Sequence, residues 1–358
     1  MKSTVLKGLA LALAASIFAG PAAAEFQDRT IRVSNGVAET HPVGNGVKAM
    51  AECLTEKSGG KMKLNGFWSG ALGGDLDATQ ALRSGTQEMV VTSTSPLVGI
   101  LPALGVFDLP FLFSDEKEAD AILDGEFGKY VSDMMPGVGL VNLAYWENGF
   151  RNLTNSQRAV AGVDDIKGLK VRVMQNNIFL DSFSNLGANA VPMAFGEVFT
   201  ALETGAIDGQ ENPVVTIDTS KFSEVQDYLT MSRHAYTPFM VLYSKPLWDQ
   251  LAADEQAALQ ECSIVGRDVQ RKASRDLGAK SLENVKAAGM EVTDLTPEAQ
   301  AAMREAVQPV YEKHAATIGQ EVVDKMMAEL RNCAASNLTP KRAARQAPPV
   351  HFATAHSP

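Results

Sequence analysis

The run DGQENP places two acids and two amides within six residues near the middle of the chain. Asp208 and Glu211 could form an acid–base pair, because paired carboxylates can donate and accept protons. Two side chains three residues apart share a face only on a helix, and Gly209 and Pro213 disfavour a helix. Asp208-Gly209 and Asn212-Pro213 are typical turn formers, so the spacing predicts two turns.

A second chemically unusual residue, Arg172, lies inside the apolar segment LKVRVMQNN. An arginine between two valines is costly to bury without a partner. One interpretation is a strand whose arginine faces solvent or pairs with an internal acid. The other is a rigid guanidinium that binds a carboxylate through two hydrogen bonds, which lysine cannot reproduce. The pattern alone leaves both interpretations open.

Short strands and helices alternate around these residues, which predicts an α/β fold. The predicted strands cover residues 30–34, 62–67, 88–92, 139–145, 169–173 and 190–192. The predicted helices cover residues 43–57, 76–82, 178–186 and 195–203. This order predicts two α/β units with a boundary near 146–150, and parallel sheets covered on both faces.

Polar and aromatic residues follow several predicted strands, at the edge where open α/β sheets bind ligands. These candidates are Asn35 after the first strand, Trp68 and Asp75 after the second, Ser93 after the third, and Trp146, Glu147 and Arg151 after the fourth. The pattern therefore indicates a ligand-binding edge.

The C-terminal third differs in character. Residues 248–290 contain no proline and are rich in helix formers, a span of about 60 Å if it is continuous. Gly266, Gly278 and Gly289 are predicted bends or ends of this helix, and Thr296-Pro297 predicts the start of another. Residues 336–358 are basic, rich in proline and poor in apolar residues, which predicts a disordered tail.

The N-terminus predicts export. Lys2 and Lys7 flank an apolar run that is too short to span a membrane, and small residues follow it, so we expect a signal peptide cut after Ala24. The remaining 334 residues carry a formal charge of −12, which argues against nucleic acid as a partner. In an oxidising compartment, one disulfide among Cys53, Cys262 and Cys333 would leave one free thiol, and the pairing stays open.

Several enzyme motifs are missing from the sequence. It contains no Gly-x-Ser-x-Gly elbow, phosphate-binding loop, His-Glu-x-x-His or Cys-x-x-Cys. A glycine-rich stretch over residues 70–74 lacks the dinucleotide-binding spacing. We therefore expect no enzymatic activity, no cofactor and no metal site.

Three segments, KGLKVRV, LGANAVPMAFGEVFTALETGAIDGQENP and KFSEVQDYLTMSRH, resemble in this order the substrate-binding subunit of TRAP transporters of the DctP type. LPALGVFDLPFLF adds to a resemblance that covers residues 30–332. It implies a two-lobed, periplasmic binding protein-like fold, with an interlobe cleft and a long helix crossing both lobes. Lobe I is expected to comprise residues 25–148 and about 237–280, and lobe II residues 149–236 and about 281–335.

The resemblance also implies site residues. The arginine of the LKxRV strand, here Arg172, is expected to pair with a ligand carboxylate, with Asn212 beside it to orient it. Phe195 is expected to pack on the ligand, and Arg151 to add a second cationic contact. The predicted ligand-binding set is Arg172, Asn212, Arg151, Phe195, Trp146, Glu147, Asn35, Asp75, Ser93 and Trp68. Ser93 stands where sialic-acid binders carry an acid, which disfavours sialic acid.

The expected function is that of a monomeric periplasmic receptor that captures a small organic acid. A C4-dicarboxylate, a sugar acid and a keto acid all fit one arginine clamp. The ligand would pass to small and large membrane permease subunits driven by a sodium gradient, or the receptor would serve a sensor kinase. The lobes would close about hinges near 149 and 236, with Trp146, Phe195 and Trp68 excluding water. The alternative is a secreted hydrolase or lyase using Asp208 and Glu211.

Overall fold

The computed structural model describes residues 26–345, and for residues 336–345 it describes only the backbone. The expected signal peptide, with its cleavage after Ala24, lies outside the described residues. Residues 346–358 of the expected tail also lie outside them. The last helix continues to Arg345. The disorder of residues 336–358 stays a prediction.

The described strands form one mixed sheet. Its strands are β1 (Arg29–Asn35), β2 (Met62–Phe67), β3 (Met89–Ser93), β4 (Leu140–Asn155), β5 (Lys170–Val173), β6 (Asn189–Pro192), β7 (Gly209–Pro213), β8 (Tyr228–Ser244) and β9 (Glu291–Asp294). Their order is β2-β1-β3-β8-β4-β7-β5-β6, and β9 pairs with β8. Strands β2-β1-β3 are parallel to one another, and so are β7-β5-β6.

Two long antiparallel strands join these two parallel groups. Strand β8 pairs with β3 and β4, and β4 pairs with β7, all in antiparallel register. The sequence predicted β4 to end at residue 145, and the predicted unit boundary at 146–150 falls inside this strand. The strand continues because its polar residues, including Arg151 and Asn152, are buried and hydrogen-bonded within the protein.

Helices cover both faces of the sheet. They are α1 (Pro42–Lys57), α2 (Asp75–Arg83), α3 (Glu116–Asp124), α4 (Glu126–Ser132), α5 (Val163–Ile166), α6 (Asn177–Asn185), α7 (Val198–Glu203), α8 (Val214–Thr219), α9 (Lys245–Trp248), α10 (Ala253–Ala287), α11 (Pro297–Ala306), α12 (Gln308–Ile318) and α13 (Gln320–Arg345). The helix predicted from residue 195 begins as a 3-10 turn over Phe195–Glu197 and becomes α7. None of the described helices is long and apolar enough to cross a membrane.

The longest of the described helices, α10, packs against α1, the long strand β4 and α8. Its 35 residues run without a break through Gly266 and Gly278, so neither glycine ends the helix, whereas Gly289 does follow its C-terminal cap at a φ of 105°. Near its start, a disulfide joins Cys262 to Cys53 of α1. Near its end, Asn284 Nδ2 donates to Asp218 Oδ2 of α8 at 2.9 Å.

Candidate functional site

A cavity that opens to solvent, with about 410 Å³ of empty space when its open part is included, lies where the carboxyl ends of β1, β3, β5 and β7 approach one another. Open α/β sheets bind ligands at such edges. Its lining residues are Asn35, Gly36, Val37, Asp75, Ser93, Asn148, Arg151, Arg172, Met174, Phe195, Asn212, Thr216 and Phe239. Seven of the ten residues predicted to bind ligand are therefore brought together here.

Arg172 is 2 % exposed and points from β5 into this cavity. Its Nε and Nη2 both donate to the Met193 carbonyl oxygen, at 2.9 and 2.7 Å. Nη1 is buried and has no hydrogen-bond partner in the described part of the chain. Burial lowers the pKa of Arg172 to about 10, so the guanidinium stays charged at neutral pH. The cavity thus contains a fixed cation with an unsatisfied donor.

The other cavity arginine, Arg151, is already paired. Its Nε and Nη2 donate to the carboxylate of Glu211, and both side chains are at most 1 % exposed. Nη2 also donates to Asn212 Oδ1 at 3.1 Å, and Nη1 contacts Thr237 Oγ1 at 3.4 Å. Burial alone would raise the pKa of Glu211, but the charge of Arg151 and the hydrogen bonds from His234 and Arg151 outweigh it and lower the pKa.

Asn212 therefore contacts a different arginine from the one expected. It accepts from Arg151, and its Nδ2 donates to Gln210 Oε1 at 2.5 Å. The described contacts include no hydrogen bond between Asn212 and Arg172. Strand β7 pairs with both β4 and β5, and the register sets Asn212 opposite Asn152 of β4, next to Arg151.

The DGQENP run is a buried strand, so the prediction of two turns was wrong. All five residues of β7 are buried. A Cβ at Gly209 would collide with the Thr154 carbonyl oxygen, which explains the glycine. Gln210 Nε2 donates to Thr154 Oγ1 at 2.9 Å, and Asp208 Oδ2 accepts from the Lys170 backbone N–H at 2.8 Å. Neighbouring strands thus supply hydrogen-bond partners for the polar side chains of this run.

The opposite wall comes from the first parallel group of strands. Asn35 holds its own loop by donating to the Val91 carbonyl at 2.6 Å and accepting from the Val37 N–H at 2.7 Å. The loop after β2 folds back over the end of β1, where the Gly70 N–H donates to the Asn35 carbonyl at 3.0 Å. That loop delivers Asp75, the first residue of α2, to the cavity.

Two polar groups on this wall are chemically distinctive, the Ser93 hydroxyl and the Asp75 carboxylate. The hydroxyl of Ser93 is buried without a hydrogen-bond partner among the described residues. Burial raises the pKa of Asp75, opposed by a hydrogen bond from Thr92 and by the charge of Arg172. Phe195 lies nearby, against the Phe222 ring at a centroid distance of 6.1 Å.

Trp146 and Glu147 do not line this cavity, contrary to their predicted position in the cleft. Trp146 is fully buried in the core, where its Nε1 donates to the Ser263 carbonyl at 3.1 Å. The Glu147 carboxylate forms an ion pair with Arg275 at 2.7 Å and lines a different groove. Helix α10 supplies both partners from more than 100 residues away, so local sequence gave no sign of them.

Trp68 also lies outside the cavity. It follows β2, which is the edge strand of the sheet, and β1 separates it from the centre. Its ring packs beside Gly66, where a Cβ would lie 2.6 Å from Trp68 Cζ2. Trp68 lines a separate surface depression together with Glu39 and Lys48. The predicted position after a strand was correct, but the strand was at the edge.

Sequence reasoning missed several lining residues. Asn148 stands in the same segment as Trp146 and Arg151, and its Nδ2 donates to Thr237 Oγ1 at 3.0 Å. Thr216 lies on α8, which no sequence pattern predicted, and its hydroxyl contacts His41 Nε2 at 3.3 Å. Asn148 lies within the segment 146–151 that follows the fourth predicted strand but was not among the predicted binding residues, whereas Thr216 gave no signal.

A family model described as "Bacterial extracellular solute-binding protein, family 7" matches residues 33–317. The chain belongs to this family. This confirms the resemblance found in the sequence, and the solved structures similar to this family 7 protein confirm its two-lobed α/β fold with a long helix.

Similar proteins are known with their ligands. The sugar acid binding protein of Advenella mimigardefordensis, solved in complex with galactonate, is 46% identical, with a TM-score of 0.84, over 86% of this chain and 99% of that one. The 2,3-diketo-L-gulonate-binding periplasmic protein of Escherichia coli is 36% identical over 75% of this chain and 82% of its own length. The C4-dicarboxylate-binding periplasmic protein of Rhodobacter capsulatus is 32% identical over 89% of this chain and 95% of its own length.

Proposed function

We propose that the protein is a periplasmic receptor of a TRAP-type transporter that captures a small organic anion through Arg172. The observation that carries this proposal is the buried, charged Arg172 whose Nη1 has no partner in the described part of the chain. A buried guanidinium with an unsatisfied donor is costly, and a ligand carboxylate would satisfy it. Relatives named for C4-dicarboxylates and sugar acids support a carboxylate as the bound group.

The geometry around Arg172 defines how a carboxylate would bind. The Nε–Nη2 edge is occupied by the Met193 carbonyl, so the accessible edge is the one formed by Nη1 and the second hydrogen of Nη2. A carboxylate can accept both hydrogen bonds across that edge. Within the described part of the chain, Arg151 Nη1 makes one hydrogen bond, to Thr237 Oγ1, and retains one further hydrogen for the ligand.

Closure of the two lobes would complete the site. In β4 the pairing with β8 shifts register between Glu147 and Gly149, and Gly149 has a φ of 116° that favours glycine. The irregularity lies at the expected hinge near residue 149. Closing about it would bring Phe195 over the ligand and lower the local dielectric, which strengthens the ion pair. Micromolar affinity requires about 8 kcal/mol, so contacts made only on closure must contribute.

Delivery to membrane permease subunits, driven by a sodium gradient, is part of this proposal. Its support is the membership in family 7 and the predicted signal peptide, which would place the receptor in the periplasm. The alternative of an enzyme using Asp208 and Glu211 is not favoured. Asp208 holds a backbone N–H of β5, and Glu211 is committed to Arg151 and His234.

The test of the proposal is the affinity of Arg172 variants. Arg172→Ala should weaken organic-acid binding by more than about tenfold, or about 1.4 kcal/mol, in titration calorimetry. Arg172→Lys should also bind weakly, because an ammonium group lacks the planar pair of donors. Unchanged affinity in both variants would refute the carboxylate clamp.

The matched control is Arg83→Ala. Arg83 is solvent-exposed and donates to the Val138 carbonyl on the surface. The substitution Arg83→Ala removes the same charge without changing the cavity lining. The affinity of this variant for the organic acid should therefore equal that of the wild type. Circular dichroism and the thermal midpoint of each variant would separate a lost contact from a lost fold. Turnover of the bound acid by the wild type would favour the enzyme alternative instead.

A further inference from the structure

A chain of hydrogen-bonded side chains runs from the cavity into the sheet behind it. Arg151 Nη2 donates to Asn212 Oδ1 at 3.1 Å, and Asn212 Nδ2 donates to Gln210 Oε1 at 2.5 Å. Gln210 Nε2 donates to Thr154 Oγ1 at 2.9 Å, and the Thr154 hydroxyl donates to Gln226 Oε1 at 2.7 Å. All five side chains are at most 3 % exposed. We call them the buried relay: Arg151, Asn212, Gln210, Thr154 and Gln226.

The two ends of the buried relay set the direction of its hydrogen bonds. At the cavity end, the guanidinium can only donate. At the far end, Gln226 Nε2 donates to the carbonyl oxygens of Asp208 and Val225, which can only accept, at 3.2 and 2.8 Å. Turning the Asn212 amide around would set two donors against each other at Arg151 and two acceptors at its other contact. The relay therefore holds the Asn212 amide with Oδ1 towards Arg151.

This orientation matters at the cavity because Arg151 and Asn212 both line it. The described contacts leave one hydrogen of Arg151 Nη1 without an acceptor inside the protein. Fixing Nη2 against Asn212 Oδ1 also fixes the direction of that hydrogen, since a guanidinium is planar and rigid. The other three relay residues are outside the described lining. They can therefore influence a ligand through Asn212 and Arg151 without touching it.

We propose that Gln210, Thr154 and Gln226 are positioning residues for ligand binding. They hold the amide of Asn212, which in turn holds the guanidinium of Arg151. Interrupting the buried relay would let the Asn212 amide rotate and bring its Nδ2 against the guanidinium, where two donors oppose each other. This inference rests on the proposed function and extends it to residues behind the cavity.

The first test interrupts the buried relay at two points. Thr154→Val removes the hydroxyl and nearly keeps the shape of the side chain, and Gln226→Leu removes the far end. Titration calorimetry with D-galactonate and with succinate should show binding at least about threefold weaker than in the wild type for each variant. Thr154→Ser retains the hydroxyl and should restore the affinity. Wild-type affinity in both Thr154→Val and Gln226→Leu would overturn the proposal, and Gln226→Leu decides it if Thr154→Val does not fold.

The matched control is Thr230→Val. Thr230 is also a buried threonine of the sheet, and its hydroxyl donates to the Val160 carbonyl at 3.1 Å, outside the relay. The affinity of this variant should equal that of the wild type. An equal loss of affinity in Thr230→Val and Thr154→Val would overturn the proposal, because a loosened sheet would then explain both.

A double-mutant cycle separates positioning from a general loss of structure. Asn212→Ala removes the amide through which the relay acts, so adding Thr154→Val to it should cause no further loss of affinity. A further loss as large as that in the wild-type background would overturn the proposal, since independent effects add.

A measurement without ligand distinguishes failure of the relay from failure of the proposed function. Solvent exchange of the Asn212 side-chain amide protons, followed by NMR, should be faster in Thr154→Val than in Thr230→Val. Equal exchange in these two variants would overturn the relay. Binding of neither acid by the wild type would overturn the proposed function, while the exchange rates would still decide whether the relay holds Asn212.

Discussion

Arg151 and Arg172 carry the same charge at the same cavity but differ in what neutralises them. Arg151 pairs with Glu211 of the neighbouring strand β7, which lies opposite Leu153 in the register and also accepts from His234. Arg172 donates to a neutral carbonyl and keeps one nitrogen without a partner among the described groups. One arginine therefore stabilises the fold, and the other is available to a ligand.

Glu211→Gln should destabilise the protein strongly. It would leave Arg151 buried without a charged partner, which costs about 3–5 kcal/mol when one member of a buried ion pair is removed. Urea unfolding followed by circular dichroism would measure the loss. Glu203→Gln, an exposed carboxylate on α7, is the control and should leave the midpoint unchanged. Equal midpoints for the two variants would show that Arg151 does not depend on Glu211.

Helix α10 shows how two glycines in one element serve different purposes. A Cβ at Gly266 would lie 2.6 Å from Trp146 Cζ2 and 2.8 Å from the Gly46 carbonyl oxygen, so the helix can approach β4 and α1 only with glycine there. A Cβ at Gly278 would meet no atom within 4 Å. The first glycine is required by packing, and the second is not.

Gly266→Ala and Gly278→Ala should therefore change stability in opposite directions. At Gly266 the added methyl group overpacks the core and should cost about 1–3 kcal/mol, more than the gain in helix propensity. At Gly278 the same change should stabilise the protein by about 1 kcal/mol, because alanine favours a helix. Thermal unfolding of both variants would measure the difference. A change of the thermal midpoint in the same direction in both variants would contradict the packing argument.

At the scale of the whole molecule, α10 ties distant parts of the chain together. The disulfide between Cys53 and Cys262 joins α1 to α10 across 209 residues of sequence. The same helix continues to α8, where Asn284 bonds Asp218. The crosslink thus fixes the N-terminal part of α10 to α1, while its C-terminal part contacts α8.

Replacing both Cys53 and Cys262 by serine should lower the free energy of unfolding by about 2–5 kcal/mol, because the unfolded chain regains the freedom of a long loop. Guanidinium unfolding under non-reducing conditions would measure it. Cys333→Ser is the control, since Cys333 has no disulfide partner among the described residues. If the double variant were as stable as the control, the crosslink would contribute nothing to stability.

The local patterns of the sequence determined much of the fold. Alternating polar and apolar residues located β1, β2, β3, β5 and β6, and capping residues located the start of α11 at Thr296-Pro297. The family motifs predicted Arg172, Asn212 and Phe195 as site residues, and all three line the cavity. These features were predictable because each depends on residues within about ten positions of one another.

The tertiary structure decided the partners. DGQENP has the composition of turns, yet it is a central strand because β4 and β5 hydrogen-bond to it from both sides. Asn212 bonds Arg151 rather than Arg172, and Trp146 packs under α10 rather than in the cleft. The last two outcomes depend on groups 61 and 117 residues apart, whose convergence is determined by the packing of the whole chain. Sequence determined which side chains could bind a carboxylate, and only the fold decided which guanidinium has no hydrogen-bonded carboxylate among the described residues.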